Sequence, residues 1–184
     1  STSRRQRQMC IRDSNKPLLY LITDFSNFVS NNSKKNLMDN HLLSHAIAIA
    51  TEAHKGQKDK YGQEYLHHPI RVMNMGRNLK ERIVGILHDV VEDTEWTFED
   101  LEKEGFSAEI IEAVRCVTKT SDEEDYEEYV ERCASNPIAV AVKIHDLTDN
   151  MDVRRMPCIG EKEVTRLRKY LKAYHRLMPL YMNH

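Results

Sequence analysis

The chain has 184 residues, enough for one domain, and its 40% apolar and 30% charged residues suit a core under a charged surface. A formal net charge of −2, from 27 Lys and Arg against 29 Asp and Glu, argues against a nucleic-acid-binding protein. No apolar run approaches the roughly 20 residues that a membrane span needs, and the four cysteines (Cys10, Cys116, Cys133, Cys158) lack CxxC spacing, which fits a reduced, cytoplasmic chain.

Residues 4–13, RRQRQMCIRD, resemble the in-frame translation of a sequencing-library adapter. The Asn- and Ser-rich segment that follows has little to bury apart from Leu18–Ile22. Residues 1–37 are therefore expected to be a disordered, non-domain leader, and the domain is expected to run over 38–184, from Met38.

From Met38 the pattern is helical. In 41-HLLSHAIAIATEAHK-55 apolar residues recur at helical spacing, and Gly56 ends that helix. A polar loop, 57-QKDKYGQEYLH-67, follows. His68-Pro69 opens a second helix through about Leu79, with proline in its first turn, where the missing N–H does no harm. A third helix is expected over 80-KERIVGILHDVVED-93. Thr97 can cap 98-FEDLEKE-104, which Gly105 stops, and Ser107 can cap 108-AEIIEAVRCVTK-119. Further helices are expected over 126-YEEYVERCAS-135, over 138–151 after Pro137, and from about Glu161 to Leu177. No run alternates as a strand would, so the fold class is all-α, a helical bundle. The acidic stretch 121-SDEEDYEE-128 and the basic stretch 162-KEVTRLRKYLK-172 read as solvated helix faces.

The chemistry concentrates in 86-ILHDVVEDT-94. Residues three and four apart share a helix face, so His88 would sit beside Glu92, and Asp89 beside Glu92 and Asp93. Acidic groups crowded among Ile, Leu and Val are costly to bury without compensation. A divalent metal compensates carboxylates and a neutral imidazole together. One helix cannot enclose an ion, and His68 and Asp146, the latter after the apolar stretch 138-IAVAVKI-144, offer further ligands.

The series His68, His88-Asp89, Asp146 resembles the H…HD…D pattern of the HD superfamily of metal-dependent phosphohydrolases. In order and spacing, AHKGQKDKYGQEYLHHP, ILHDVVEDT and VKIHDLTDN resemble the hydrolase domain of RelA/SpoT homologues, over about residues 41–178. The small stand-alone members are the nearest in kind. That resemblance implies an HD-domain helical bundle and removal of the 3′-pyrophosphate of (p)ppGpp. It implies His68, His88, Asp89 and Asp146 as ligands of Mn²⁺, although their mixed donors also suit other divalent transition metals. Glu92 and Asp93 match the family's Glu-Asp pair beside the attacked phosphate. A metal lowers the pKa of a bound water, and the pair would position that water and shuttle its proton.

For substrate, the resemblance implies Lys58 and Lys60 near the nucleotide and Asn150 on its sugar. Asp59 stands where the long RelA/SpoT enzymes carry an Arg against the guanine, and DNMD replaces HNMR, so Asp149 and Asp152 are expected to make that wall more acidic. Those departures favour a second reading, another phosphorylated nucleotide or cofactor as substrate; a non-catalytic nucleotide sensor is the third. Tyr65 either packs or meets substrate. His54 reads as a structural hydrogen-bonding residue, and His67 competes with His68 as ligand, with the His-Pro register favouring His68.

Overall fold

The structure is a computed structural model that describes residues 39–121 and 123–183; the leader expected at 1–37 lies outside the described residues. Helix α1 covers 39–53. It is followed by α2 (His67–Met75), α3 (Leu79–Leu87), α4 (Val90–Asp93), α5 (Phe98–Lys103), α6 (Ala108–Val117), α7 (Tyr126–Ala134), α8 (Pro137–Asn150) and α9 (Glu161–Met182). A short 3₁₀ turn, Val153–Arg155, precedes α9. The all-α expectation holds: among the described residues the extended pairing is one isolated bridge, Lys58 with Glu64. No described helix is long and apolar enough to cross a membrane.

Local chemistry sets most of the boundaries. Gly56 and Gly105 adopt φ of 78° and 88° where α1 and α5 end, the left-handed conformation that glycine takes without strain. Thr97 accepts from the Asp100 amide while the Asp100 carboxylate accepts from the Thr97 amide, a capping box. Ser107 caps α6, and Asn136, ahead of Pro137, accepts from the amides of Ile138 and Ala139.

Three boundaries differ from expectation. Helix α2 stops at Met75, because Asn78 accepts from the Glu81 amide at 3.0 Å and starts a new helix at Leu79. The expected third helix is split: α3 ends at Leu87 and α4 restarts at Val90, with Asp89 at φ −100°, ψ −4°. That is the bridge region of backbone space, where many active-site residues sit. Helix α9 continues past Pro179 to Met182, because Tyr181 in its last turn stacks edge-on against His145 at 5.5 Å and lies under the Arg77 guanidinium at 4.1 Å.

Helices α2, α3 and α8 pack against one another at the centre. Their inward residues, among them Val72, Ile83, Ile86, Leu87, Val140 and Leu147, are fully or almost fully buried. Burying each such side chain is worth roughly 1.5–3 kcal/mol. Gly85 permits a close approach: a Cβ there would lie 3.1 Å from the Met73 Cα on α2. His68, His88-Asp89 and Asp146 are thereby carried on three helical segments that share one core.

Candidate metal centre and its cavity

Each imidazole is aimed by a hydrogen bond to its outer nitrogen. His88 Nδ1 donates to the Gly85 carbonyl at 2.9 Å. A carbonyl only accepts, so the Nε2 face of His88 is turned inward, 3.0 Å from Asp89 Oδ2 and 3.9 Å from Asp146 Oδ1. His68 Nδ1 lies 2.7 Å from Asp149 Oδ2, which turns its Nε2 inward too, 3.2 Å from Asp146 Oδ1 and 3.6 Å from Asp89 Oδ2. The potential ligand atoms of His68, His88 and Asp89 all lie within 4.8 Å of one another, and Asp146 Oδ1 stands 3.2 and 3.9 Å from the two Nε2 atoms. His67 is not part of it, in keeping with the His-Pro register.

The arrangement fits a cation. His88 Nε2 is buried and makes no hydrogen bond among the described residues. Two carboxylates face two imidazoles in a buried space, and buried charge of that kind is tolerated when paired or coordinating metal. Burial alone would lower the His68 pKa, but its hydrogen bonds to Asp146 and Asp149 outweigh burial and push it up to about 10. Burial would likewise lower His88, and Asp89 outweighs it, so that pKa also rises. Asp89 and Asp146 are held below the usual carboxylate range: burial opposes this, but His88 outweighs it at Asp89 and Lys143 at Asp146. Positive charge is what the centre lacks, and one divalent ion supplies it without protonating either ligand.

A further shell orients these four side chains. Tyr65 donates to Asp89 Oδ2 at 2.6 Å; burial and Asp89 push its pKa up, so the phenol stays a donor. Lys143 donates to Asp146 Oδ2 at 2.7 Å, and Asn150 Nδ2 to Asp146 Oδ1 at 2.5 Å. Asp149 accepts from Arg71 at 2.5 and 3.1 Å and also pairs with Arg155. The expected acidic wall is therefore corrected: Asp149 is saturated by two guanidinium groups and an imidazole, and Asp152 pairs with Arg154 at 2.8 Å. Outer partners of this kind fix ring orientation and ligand basicity. Asp149 stands one helical turn after Asp146 on α8.

Glu92 and Asp93 sit next to the centre and open to solvent. Glu92 Oε2 accepts from the Lys119 amide at 2.8 Å. The Asp93 carbonyl accepts from Gln57 Nε2 at 3.0 Å, and Gln57 is in turn held by His54 Nδ1 at 2.8 Å, so His54 has the structural part expected of it. Burial first, then Asp89, raises the pKa of both carboxyl groups.

These residues line a cavity of about 360 Å³. Lys58, Lys60 and Asn150 reach it, but they are engaged differently. Lys58 pairs with Glu64 across the loop, Lys60 lies over the Tyr61 ring at 5.0 Å, and Asn150 is bonded to Asp146. Asp59 Oδ1 accepts from the amides of Tyr61 and Gln63 at 2.8 and 2.9 Å, and Oδ2 lies 3.4 Å from Arg155. Arg155 reaches the cavity from the 3₁₀ turn, near the position where the resemblance leads one to expect a loop arginine. The basic stretch 162–172 is mostly exposed, as expected of a solvated face, yet part of it meets the cavity. Lys169 lines the cavity, and Arg166 turns inward beside it to meet the Tyr61 hydroxyl at 3.4 Å.

Comparison with known proteins agrees with this geometry. The HD-domain family model matches residues 46–175. The chain belongs to the HD-domain family. Within that family, a guanosine-3′,5′-bis(diphosphate) 3′-pyrophosphohydrolase of Aquifex aeolicus is 31% identical over 120 residues, 59% of this chain and 17% of that protein. A GTP pyrophosphokinase of Streptomyces coelicolor is 31% identical over 151 residues, 73% of this chain and 18% of that protein. The chain thus spans less than a fifth of the length of these relatives. A solved structure, described as a metazoan orthologue of SpoT that hydrolyses ppGpp, shares the fold at a TM-score of 0.63 and 23% identity, covering 77% of this chain and 90% of that one.

Proposed function

We propose that this HD domain is a cytoplasmic, metal-dependent hydrolase that removes the 3′-pyrophosphate of guanosine tetra- and pentaphosphate. His68, His88, Asp89 and Asp146 would hold the metal, with Mn²⁺ the first candidate. The observation that carries the reading is the buried His88 Nε2, which makes no hydrogen bond among the described residues while facing the Asp89 and Asp146 carboxylates beside a cavity with basic side chains. The relatives' activity supplies the substrate. When bound, a divalent ion there would neutralise phosphoryl oxygens and lower the pKa of a nearby water.

The chain's own residues do the rest. Tyr65, Lys143 and Asn150 fix the carboxylate ligands, while Gly85 O and Asp149 fix the imidazoles. Glu92, held by the Lys119 amide, and Asp93, held through its carbonyl by Gln57, orient the attacking water and take its proton. Both carboxyl groups are raised from their ordinary values, by burial first and then by Asp89, the direction that makes a carboxylate a stronger base. The water oxygen bonds to the phosphorus next to O3′, the P–O3′ bond breaks, and pyrophosphate leaves. A proton returns to O3′, giving guanosine 5′-diphosphate from the tetraphosphate. Lys58, Lys60 and Asn150 would contact the nucleotide.

A second substrate class is favoured by one observation: Asp59 is tied to its own loop and to Arg155, so the base meets a carboxylate–guanidinium pair there. A hydrolysis panel with Mn²⁺ over ppGpp, pppGpp, NADPH and nucleoside monophosphates, reading pyrophosphate and orthophosphate release separately, tests both. The reading predicts the highest kcat/KM for ppGpp or pppGpp, and preference for any other compound would overturn it.

A further inference from the structure

A pyrophosphate group has two phosphorus centres, and the metal centre with Glu92 and Asp93 accounts for one. The second carries much of the negative charge and needs cations that are not already neutralised. Most basic groups of the cavity are committed: Lys58 to Glu64, Lys143 to Asp146, Arg155 to Asp149 and Asp59. Lys169 is not. Burial lowers its pKa, and the charges acting on it are Lys119, Lys143 and Arg166, all cationic. Its Nζ stands 4.4 Å from the centre of the Tyr126 ring and 5.8 Å from that of Tyr170. Aromatic faces hold an ammonium in place without cancelling its charge for a ligand. Lys119 lines the same cavity; its amide serves Glu92 and its Nζ forms a long ion pair with that carboxylate at 3.9 Å, which leaves its N–H groups open to a further acceptor.

The Tyr126 hydroxyl is the independent sign that something is bound there. The hydroxyl is buried and makes no hydrogen bond among the described residues, on a residue that lines the cavity. Buried hydroxyls without a partner are uncommon, and each calls for an explanation such as a missing ligand or water. Burial pushes its pKa up to about 12, so it stays a donor.

We infer that Lys119, Lys169 and the Tyr126 hydroxyl form a seat for the second phosphate of a pyrophosphate group, on the Glu92 side of the cavity. The inference rests on the proposed reaction for its ligand but not for its test. In the seat, two ammonium groups and one hydroxyl donate to the oxygens of the phosphate that is not attacked. The pyrophosphate is thereby held in line while its bond to O3′ breaks.

The test is calorimetric titration of the full chain, loaded with Mn²⁺, with inorganic pyrophosphate and separately with orthophosphate. Lys119→Gln, Lys169→Gln and Tyr126→Phe should each weaken pyrophosphate binding, the lysine changes by on the order of tenfold, as expected for a lost charge-assisted hydrogen bond. Orthophosphate binding should be unchanged, and Lys169→Arg should keep most of the affinity. Equal losses for both anions, no loss for either, or no pyrophosphate binding by the unmodified chain would each overturn the seat. Selective losses in a protein that leaves ppGpp intact would keep the seat and remove the substrate. Undiminished pyrophosphate binding in variants of a protein that cleaves ppGpp would do the reverse.

Discussion

His68 Nδ1 is 2.7 Å from Asp149 Oδ2, and that carboxylate is itself gripped by Arg71 and Arg155. A residue outside the ligand set thus decides which way a ligand ring points. Burial works against it, yet its bonds to His68 and Arg71 hold the Asp149 pKa down at about 2. Asp149→Asn should weaken Mn²⁺ binding by about 10–100-fold, the range for outer-shell carboxylates. Helix content by circular dichroism should not change. An unaltered Mn²⁺ affinity would mean that His68 needs no such partner.

Ligands and acid–base groups should separate by phenotype. Asp146→Asn should lose the metal. Glu92→Gln and Asp93→Asn should keep it and lower kcat by on the order of 10²–10⁴-fold. Metal content by elemental analysis, measured alongside turnover, checks the division; equal metal loss in all three variants would contradict it.

Protons and metal compete for the same imidazoles. Because the neighbouring carboxylates push His68 up to about 10, a metal must displace a proton to bind at neutral pH. Mn²⁺ affinity should therefore rise between pH 6 and 8, and binding should release protons, read from titrations in buffers of different ionisation heat. The metal-free protein should behave oppositely. A folded-state pKa raised above the unfolded value of about 6.5 stabilises fully below that value, and the gain is lost as pH rises towards 10. A pH-independent affinity would contradict the electrostatic account.

Much of this was legible in the sequence, for physical reasons that can be named. Capping by Thr97, Ser107 and Asn136 is local chemistry, so a few residues announce it. The break between α2 and α3 was announced equally plainly by Asn78 with Glu81 three residues on, a capping pattern that the expected helix through about Leu79 passed over. The His68, His88-Asp89, Asp146 set could be read because its members carry unusual chemistry in apolar surroundings. What they lean on could not. Nothing local says that Asp149 rather than Asp152 faces His68, or that Lys169 turns inward from a basic helix. Those facts depend on how α8 and α9 cross elements far away in the chain.

Gly85 links stability to the site. It sits mid-helix, its carbonyl aims His88, and a Cβ there would press on the Met73 backbone at 3.1–3.2 Å. Gly85→Ala should cost about 1–3 kcal/mol, as overpacking does, and lower Tm. Because α2 also carries His68, Mn²⁺ should restore less of the Tm in this variant than in the parent. Full restoration would mean that the close α2–α3 approach does not set the ligand geometry.

The proposed reaction is tested most directly by the identity of its products. The Mn²⁺-loaded protein, incubated with ppGpp and followed by ³¹P NMR, should give pyrophosphate and guanosine 5′-diphosphate in equal amounts. Orthophosphate should not appear as a primary product. Release of orthophosphate from either end of the nucleotide, or intact ppGpp beside rapid turnover of another phosphorylated nucleotide, would contradict it.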